Sequence, residues 1–265
     1  MNTIILAIIL GIIEGMTEFV PVSSTGHLII ANKFLDFDGA FANFFAIVIQ
    51  SGAIFAAMIY FRDKVLPPIS SKKSMKAYFS LWFKVAFALI PAVIIAFTLE
   101  DVIDKYLFNP ITVAIALIVG GVLLIIMESR DHASNIETDE QITFKNAFIV
   151  GIFQTLAILL PGMSRSASTI IGGLYVGYSR KLAAEFSFYL AMPALLGAAV
   201  YKMISYSGEI LPDEWQMLWI GTLVSFIVAY AVIAFFMNYI RKHDMKIFAY
   251  YRIILGIIVI IMYNL

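Results

Sequence analysis

The sequence contains no cysteine. Disulfides and thiol chemistry are therefore excluded, while the compartment stays undetermined. Charge is scarce as well: Asp, Glu, Lys and Arg make up 14% of the 265 residues, against about 25% in soluble domains. What charge there is balances to a formal net of zero. The first residues, Met1-Asn2-Thr3-Ile4-Ile5-Leu6, lack the basic segment and small-residue cleavage site of a signal peptide, so this end is expected to be retained. No connection between the apolar runs is long enough to hold a soluble domain.

Apolar residues fill the space that charge leaves. They account for 62% of the chain, and the mean hydropathy is +0.92. A spanning helix needs about 20 mostly apolar residues. Six runs qualify, at roughly 42–62, 77–98, 111–128, 183–204, 214–238 and 247–264. Two further apolar regions, 4–35 and 145–178, are each cut near the middle, at Pro21 and at Pro161-Gly162. Proline gives no N–H to a helix and clashes with the preceding turn. The Ser, Thr and Gly that follow suit a fresh helix start. Both regions read as helix–break–helix hairpins that enter the membrane and return; two kinked spanning helices are the alternative. Broken backbone at membrane depth must be buried in protein or line a wet cavity, so the breaks should face each other.

Loop charge sets the orientation. Arg62, Lys64, Lys72, Lys73 and Lys76 lie in one loop, Arg180 and Lys181 in another, and Arg241, Lys242 and Lys246 in a third. The alternate loops carry Glu100, Asp101 and Asp104, or Glu209, Asp213 and Glu214. The positive-inside rule makes the basic set cytoplasmic. The linker 129–144 is mixed, with Arg130 against Glu137, Asp139 and Glu140, and span counting puts it inside. Each half then holds one re-entrant hairpin and three spans. Three is odd, so the second half is inverted, both termini are outside, and the hairpin tips meet near the bilayer midplane. The expected fold is an all-α polytopic membrane protein forming one integral membrane domain over 1–265. Its inverted-topology repeats are 1–128 and 145–265.

The two breaks echo each other at an offset of 140 residues: Gly11 with Gly151, Pro21 with Pro161, Ser24 with Ser164. Their polar equipment differs. The first carries Glu14, Glu18 and His27; the second has Gln154 and Ile158 at the glutamate positions and adds Arg165. Glu14 and Glu18 lie one turn apart on one helix face. Ionised side chains at the bilayer centre are costly, and such a pair becomes tolerable by sharing a proton, meeting an arginine or binding a cation. Oxygen ligands suit Mg²⁺ or Ca²⁺. Ser23, Ser24 and Thr25 open a half-helix whose N–H groups and dipole favour an anion; a serine here is otherwise simply a cap. His27 lies on the same face as Ser24, which permits general-base activation of that hydroxyl. Ser164, Arg165 and Ser166 open the second half-helix. The arginine fork matches phosphate oxygens, or alternatively pairs with Glu14 or Glu18. These parts suit phosphoryl transfer with a divalent cation, and a membrane site suits a lipid-linked phosphate.

Glu14-Gly-Met-Thr-Glu-Phe-Val-Pro-Val-Ser-Ser-Thr-Gly-His27, Pro161-Gly-Met-Ser-Arg-Ser166 and Ala184-Glu-Phe-Ser-Phe-Tyr-Leu-Ala-Met-Pro193 resemble signatures of the undecaprenyl-diphosphate phosphatase family linked to bacitracin resistance. The resemblance runs along essentially the whole chain. One position departs: Ala167 stands where the family pattern has glycine, which adds a methyl group near the second tip. The resemblance implies hydrolysis of an isoprenyl diphosphate lipid, undecaprenyl diphosphate, to the monophosphate and inorganic phosphate. That reaction recycles the carrier for peptidoglycan synthesis at the outer face of the bacterial cytoplasmic (inner) membrane. It implies Glu14 and Glu18 as catalytic or metal residues, Ser24 as nucleophile, His27 as acid/base and Arg165 as phosphate clamp. Ser23, Thr25, Ser164 and Ser166 would be further phosphate contacts. A histidine nucleophile has the same residues available. The lipid and the bilayer are the expected partners, a homodimer is compatible, and no nucleic acid is expected. Inverted repeats with broken helices also suit a secondary transporter or lipid flippase; a transporter needs no nucleophile. A purely structural scaffold gives no reason to bury two glutamates, a histidine and an arginine.

Overall fold

A computed structural model of the chain describes residues 3–68, 72–130 and 134–264. The side chains of Lys72, Lys73, Glu100, Asp101 and Asp104 lie outside the described set, and so does the loop-charge reading that rests on them. The elements are α1 (Thr3–Thr17), α2 (Ser24–Leu35), α3 (Gly39–Tyr60), α4 (Arg62–Val65), α5 (Lys72–Tyr106), α6 (Pro110–Ser129), α7 (Phe144–Leu159), α8 (Arg165–Tyr175), α9 (Arg180–Ser205), α10 (Pro212–Tyr239) and α11 (Lys246–Asn264). Six of them, α3, α5, α6, α9, α10 and α11, are long and apolar enough to cross a bilayer. They coincide with the six apolar runs. Large apolar side chains such as Phe97, Trp219 and Phe235 stand exposed on their outer faces. A soluble protein would not leave so much apolar surface bare; lipid covers it in this multi-pass membrane protein.

The two interrupted regions are hairpins. Phe153 on α7 meets Tyr175 on α8 with ring centroids 5.4 Å apart, and a Cβ at Gly172 would crowd Phe153. Residues on either side of the break therefore lie side by side, and the chain turns back. In the first hairpin Leu6 and Leu10 of α1 share an apolar cluster with Leu28, Ala31 and Leu35 of α2. Proline alone does not make a break: Pro91 and Pro193 lie inside α5 and α9. Their neighbours are Ala, Val, Ile, Leu and Met, which continue a helix and offer no cap. Pro21 and Pro161 are followed by serines that accept from amides of the next helix. That bond satisfies one of the orphan donors at a helix start.

Packing is reciprocal. Hairpin helix α1 lies on α10, and hairpin helix α7 lies on α5. Gly11 makes the first close approach, against the Gly221 carbonyl, and Gly151 the second, against the Ala88 carbonyl. A Cβ at either would collide with that backbone, and such small residues are what let helices approach in lipid. Similarly Gly121 faces the Ala249 carbonyl and Gly256 the Ala114 carbonyl across α6 and α11.

The basic loops gather at one end of the bundle. Arg180 Nε donates to Glu128 Oε2 at 2.7 Å, and Glu128 Oε1 accepts from the Met245 amide. Ile136 of the linker bridges to Tyr178, and Lys64 Nζ donates to Asp139 at 2.5 Å. Burial works against the Lys64 ammonium, but the hydrogen bond and charge of Asp139 win and raise its pKa above the ordinary lysine value. The mixed linker thus belongs with the basic loops, as span counting requires.

Candidate active site

Both breaks line one cavity of about 330 Å³. Its wall includes Glu18, Ser23, Ser24 and Thr25 from the first break and Gly162, Ser164 and Arg165 from the second, with Gln50 and Gln154 beside them. A second, apolar cavity of about 510 Å³ adjoins it, sharing Thr25, Leu89, Val93, Ala96, Ile158 and Ala194 and running between α5 and α9 towards Tyr201 and Lys202.

The helix starts are built alike. Ser23 (φ 71, ψ 103) caps α2 and accepts from the Gly26 amide; Ser164 (φ 67, ψ 119) caps α8 and accepts from the Ala167 amide. Positive φ is unusual for serine and costs of order 1–3 kcal/mol, a strain that concentrates at functional sites. The structural correspondence is therefore Ser23 with Ser164, one residue off the pairing of Ser24 with Ser164 read from the sequence. The shift puts Ser24 opposite Arg165.

Those two residues meet at one carboxylate. Ser24 Oγ donates to Glu18 Oε2 at 2.8 Å, and Arg165 Nη2 donates to Glu18 Oε1 at 3.4 Å. Both partners of the ion pair are largely buried. Arg165 Nη1 also donates to the Ser187 carbonyl at 3.1 Å, its guanidinium lies 5.7 Å over the Phe19 ring, and its Nε has no partner. The ion pair that the sequence reading held as the alternative for Arg165 is thus present. At 3.4 Å it is longer than a strong charge-assisted bond, about 2.7–2.9 Å.

His27 sits differently from the sequence expectation. Its Nδ1 lies 2.7 Å from the Ser23 carbonyl and its Nε2 2.6 Å from the Tyr251 hydroxyl. A carbonyl only accepts, so Nδ1 carries a proton and donates to it. Both ring nitrogens are engaged, and the partner of the Ser24 hydroxyl is Glu18. Ser24 reaches back to Glu18, just past the end of α1, while His27 turns to α11.

Ser166 donates to the Phe19 carbonyl at 2.7 Å, so its hydroxyl ties the two breaks together and is no part of the cavity wall. Ala167 is fully buried and likewise off the wall, so its methyl group does not reach the cavity. Glu14 is fully buried, and neither carboxylate oxygen has a hydrogen-bond partner. Two carboxyl oxygens left so are donors of the type a hard cation takes. Among the described residues no cluster of three or more His, Cys, Asp or Glu could hold a metal. Glu14 and Glu18 are the two carboxylates that would hold one.

Several residues at the site were not singled out individually in the sequence, although Ser187 and Phe188 fall within the signature at 184–193. Ser187 braces Arg165 from α9, and its hydroxyl accepts from Thr169 at 2.7 Å. Phe188, from the same segment, stacks on Phe19 at 4.8 Å. Tyr251 and Arg252 come from α11. A charged residue in the middle of an apolar span was the available clue to Arg252.

The chain matches the family described as Bacitracin resistance protein BacA over residues 7–258. It is 47% identical over 258 residues to undecaprenyl-diphosphatase 1 of Clostridioides difficile (strain 630), covering 96% of this chain and 94% of the relative. It is 44% identical over 261 residues to the undecaprenyl-diphosphatase of Caldanaerobacter subterraneus subsp. tengcongensis, covering 98% of this chain and 96% of the relative. It is also 44% identical over 266 residues to the undecaprenyl-diphosphatase of Enterococcus faecalis, covering 97% and 96%. With a match over nearly its full length, the chain belongs to the bacitracin resistance protein BacA family.

Proposed function

We propose that this protein hydrolyses undecaprenyl diphosphate to undecaprenyl phosphate and inorganic phosphate. Its relatives carry the name of that activity. The observation that carries the reading to this site is the contact of Ser24 Oγ with Glu18 Oε2 in a cavity lined by two helix starts and an arginine. A transporter has no use for a hydroxyl held by a carboxylate. The adjoining apolar cavity suits the isoprenyl tail.

In this reading Ser24 Oγ attacks the terminal phosphorus and passes its proton to Glu18 Oε2. The bond from that phosphorus to the bridging oxygen breaks, and undecaprenyl phosphate leaves with the electron pair. Water then attacks the phosphoserine, and Glu18 returns the serine proton as inorganic phosphate departs. Arg165 and the N-terminal ends of α2 and α8 stabilise the charge that builds on the phosphoryl oxygens. Glu14 and Glu18 would hold the divalent cation, which supplies neutralisation of phosphate charge when bound. The acid/base role for the leaving group is assigned to His27, which does not line the cavity and would have to leave the Tyr251 hydroxyl and turn towards it.

The reciprocal packing of α1 on α10 and α7 on α5 supports an inverted repeat, as do the twin caps at Ser23 and Ser164. Family membership supports residence in the bacterial cytoplasmic membrane. Loop charge supports a site open to the extracytoplasmic side, since the apolar cavity runs to Lys202 at the end opposite Arg180. Phosphate release by the purified protein in detergent, with and without chelator, tests the activity. Release that persists in Ser24→Ala would remove the serine from the reaction.

A further inference from the structure

Arg252 is completely buried in the middle of α11, and it touches both breaks at once. Its Nη1 donates to the Pro21 carbonyl at 3.4 Å. Its Nη2 donates to the carbonyls of Met163 at 2.7 Å, Gly162 at 3.3 Å and Ala116 at 3.4 Å. Among the described residues it has no ion pair with a carboxylate, and its Nε has no hydrogen-bond partner. A buried guanidinium without a carboxylate is expensive in a membrane protein. Three of its four acceptors, the carbonyls of Pro21, Gly162 and Met163, lie in the breaks, outside the helix ladder, where those oxygens would otherwise be unsatisfied and water is scarce; the fourth, Ala116, lies within α6.

We propose that Arg252 is a positioning residue: it clasps the two hairpin tips and thereby sets Glu18 and Ser24 of one half against Arg165 of the other. The fork geometry matters, because one planar group reaches acceptors on both breaks and on α6. Pro21 is three residues before Ser24 and Met163 two before Arg165, so a shift at either carbonyl is carried straight to the reacting groups. Gly120 makes room for the clasp, since a Cβ there would strike the guanidinium. The direct tie from Ser166 to the Phe19 carbonyl joins the start of α8 to the first turn; Arg252 reaches carbonyls in both turns.

The inference rests on assigning Glu18, Ser24 and Arg165 to the reaction, and its test separates the two. Arg252→Met and Arg252→Lys are purified in detergent. Amide hydrogen exchange is followed over 18–26 and 160–168, together with kcat and KM for phosphate release. The clasp predicts exchange at both tips at least about tenfold faster in Arg252→Met, with α3 and α10 unchanged. It predicts kcat lower by about 100-fold, the scale of a small misplacement, with KM within about threefold. Arg252→Lys keeps the charge but not the fork, so it recovers only part of kcat. Loosened tips with unaltered turnover would support the clasp and count against the assigned site residues. Wild-type exchange at both tips in either folded variant would overturn the clasp. Failure of both variants to fold would also overturn it, by making Arg252 a general determinant of folding.

Discussion

Ser24 and Arg165 come from opposite halves of the chain and hold the two oxygens of one carboxylate. Ser24 Oγ lies 2.8 Å from Glu18 Oε2, and Arg165 Nη2 lies 3.4 Å from Glu18 Oε1. Glu18 is thus both the acceptor for the hydroxyl and the counter-charge for the clamp. Glu18→Gln removes the base and the charge while keeping the shape. Loss of a general base costs about 10²–10⁴ in rate, so kcat for phosphate release should fall in that range. The freed Arg165 fork should leave KM unchanged or lower. Steady-state phosphate release checks both.

His27 and Tyr251 offer a separate test of roles. Tyr251→Phe removes the hydroxyl on His27 Nε2 but leaves the Ser23 carbonyl on Nδ1. An ordinary hydrogen bond contributes about 0.5–1.5 kcal/mol, so Tyr251→Phe should lose less than about tenfold in kcat. His27→Ala should lose far more. Measured side by side, equal losses would make the tyrosine a direct participant.

The helix caps predict a stability pattern in which glycine outperforms alanine. At Ser164, φ is 67 and the hydroxyl accepts from the Ala167 amide. Alanine keeps the strained backbone and loses the bond, at about 0.5–2 kcal/mol. Glycine loses the same bond but adopts positive φ freely. Thermal unfolding in detergent should therefore rank Ser164→Ala below both wild type and Ser164→Gly. The same order should hold at Ser23.

Glu14 predicts the cation response. Its carboxylate is buried without a donor, and the second half carries Gln154 at the matching position. Mg²⁺ should raise the melting temperature of the wild-type protein, because a ligand for the folded state stabilises it by mass action. Glu14→Gln should abolish most of that rise. It should also lift the Mg²⁺ concentration needed for half-maximal rate by at least about tenfold, the scale of roughly 1.4 kcal/mol of binding.

The six spans and both hairpins were legible because their signals are local: apolar length, and proline followed by capping residues. The sites within them were legible in part. Glu18 and Arg165 stand out as charges in apolar runs, and they do meet. The partner of Ser24 was not legible, since spacing alone makes His27 as good a neighbour as Glu18. Only the turn at Ser23, with its positive φ, sends the hydroxyl back to Glu18 at the end of α1. The same turn explains the one-residue slip in the repeat, for Ser23 and not Ser24 is the cap. Pro91 and Pro193 carry the residue type of the breaks without their caps, and the helices run through. Arg252 is a long-range contact whose carbonyl partners leave no trace in side-chain identity.

A site built from both halves is tested most directly by kcat for phosphate release in Ser24→Ala, Arg165→Ala and the double variant, each shown to be folded. Removing a stabilising donor costs about 10²–10³ in rate, and residues that act as a unit lose less together than the product of their single losses. Each single variant should therefore lose at least about 100-fold, with the double variant little worse than the poorer single. Arg165→Ala turnover within about twofold of wild type, or losses that simply multiply, would contradict a phosphate held from both sides.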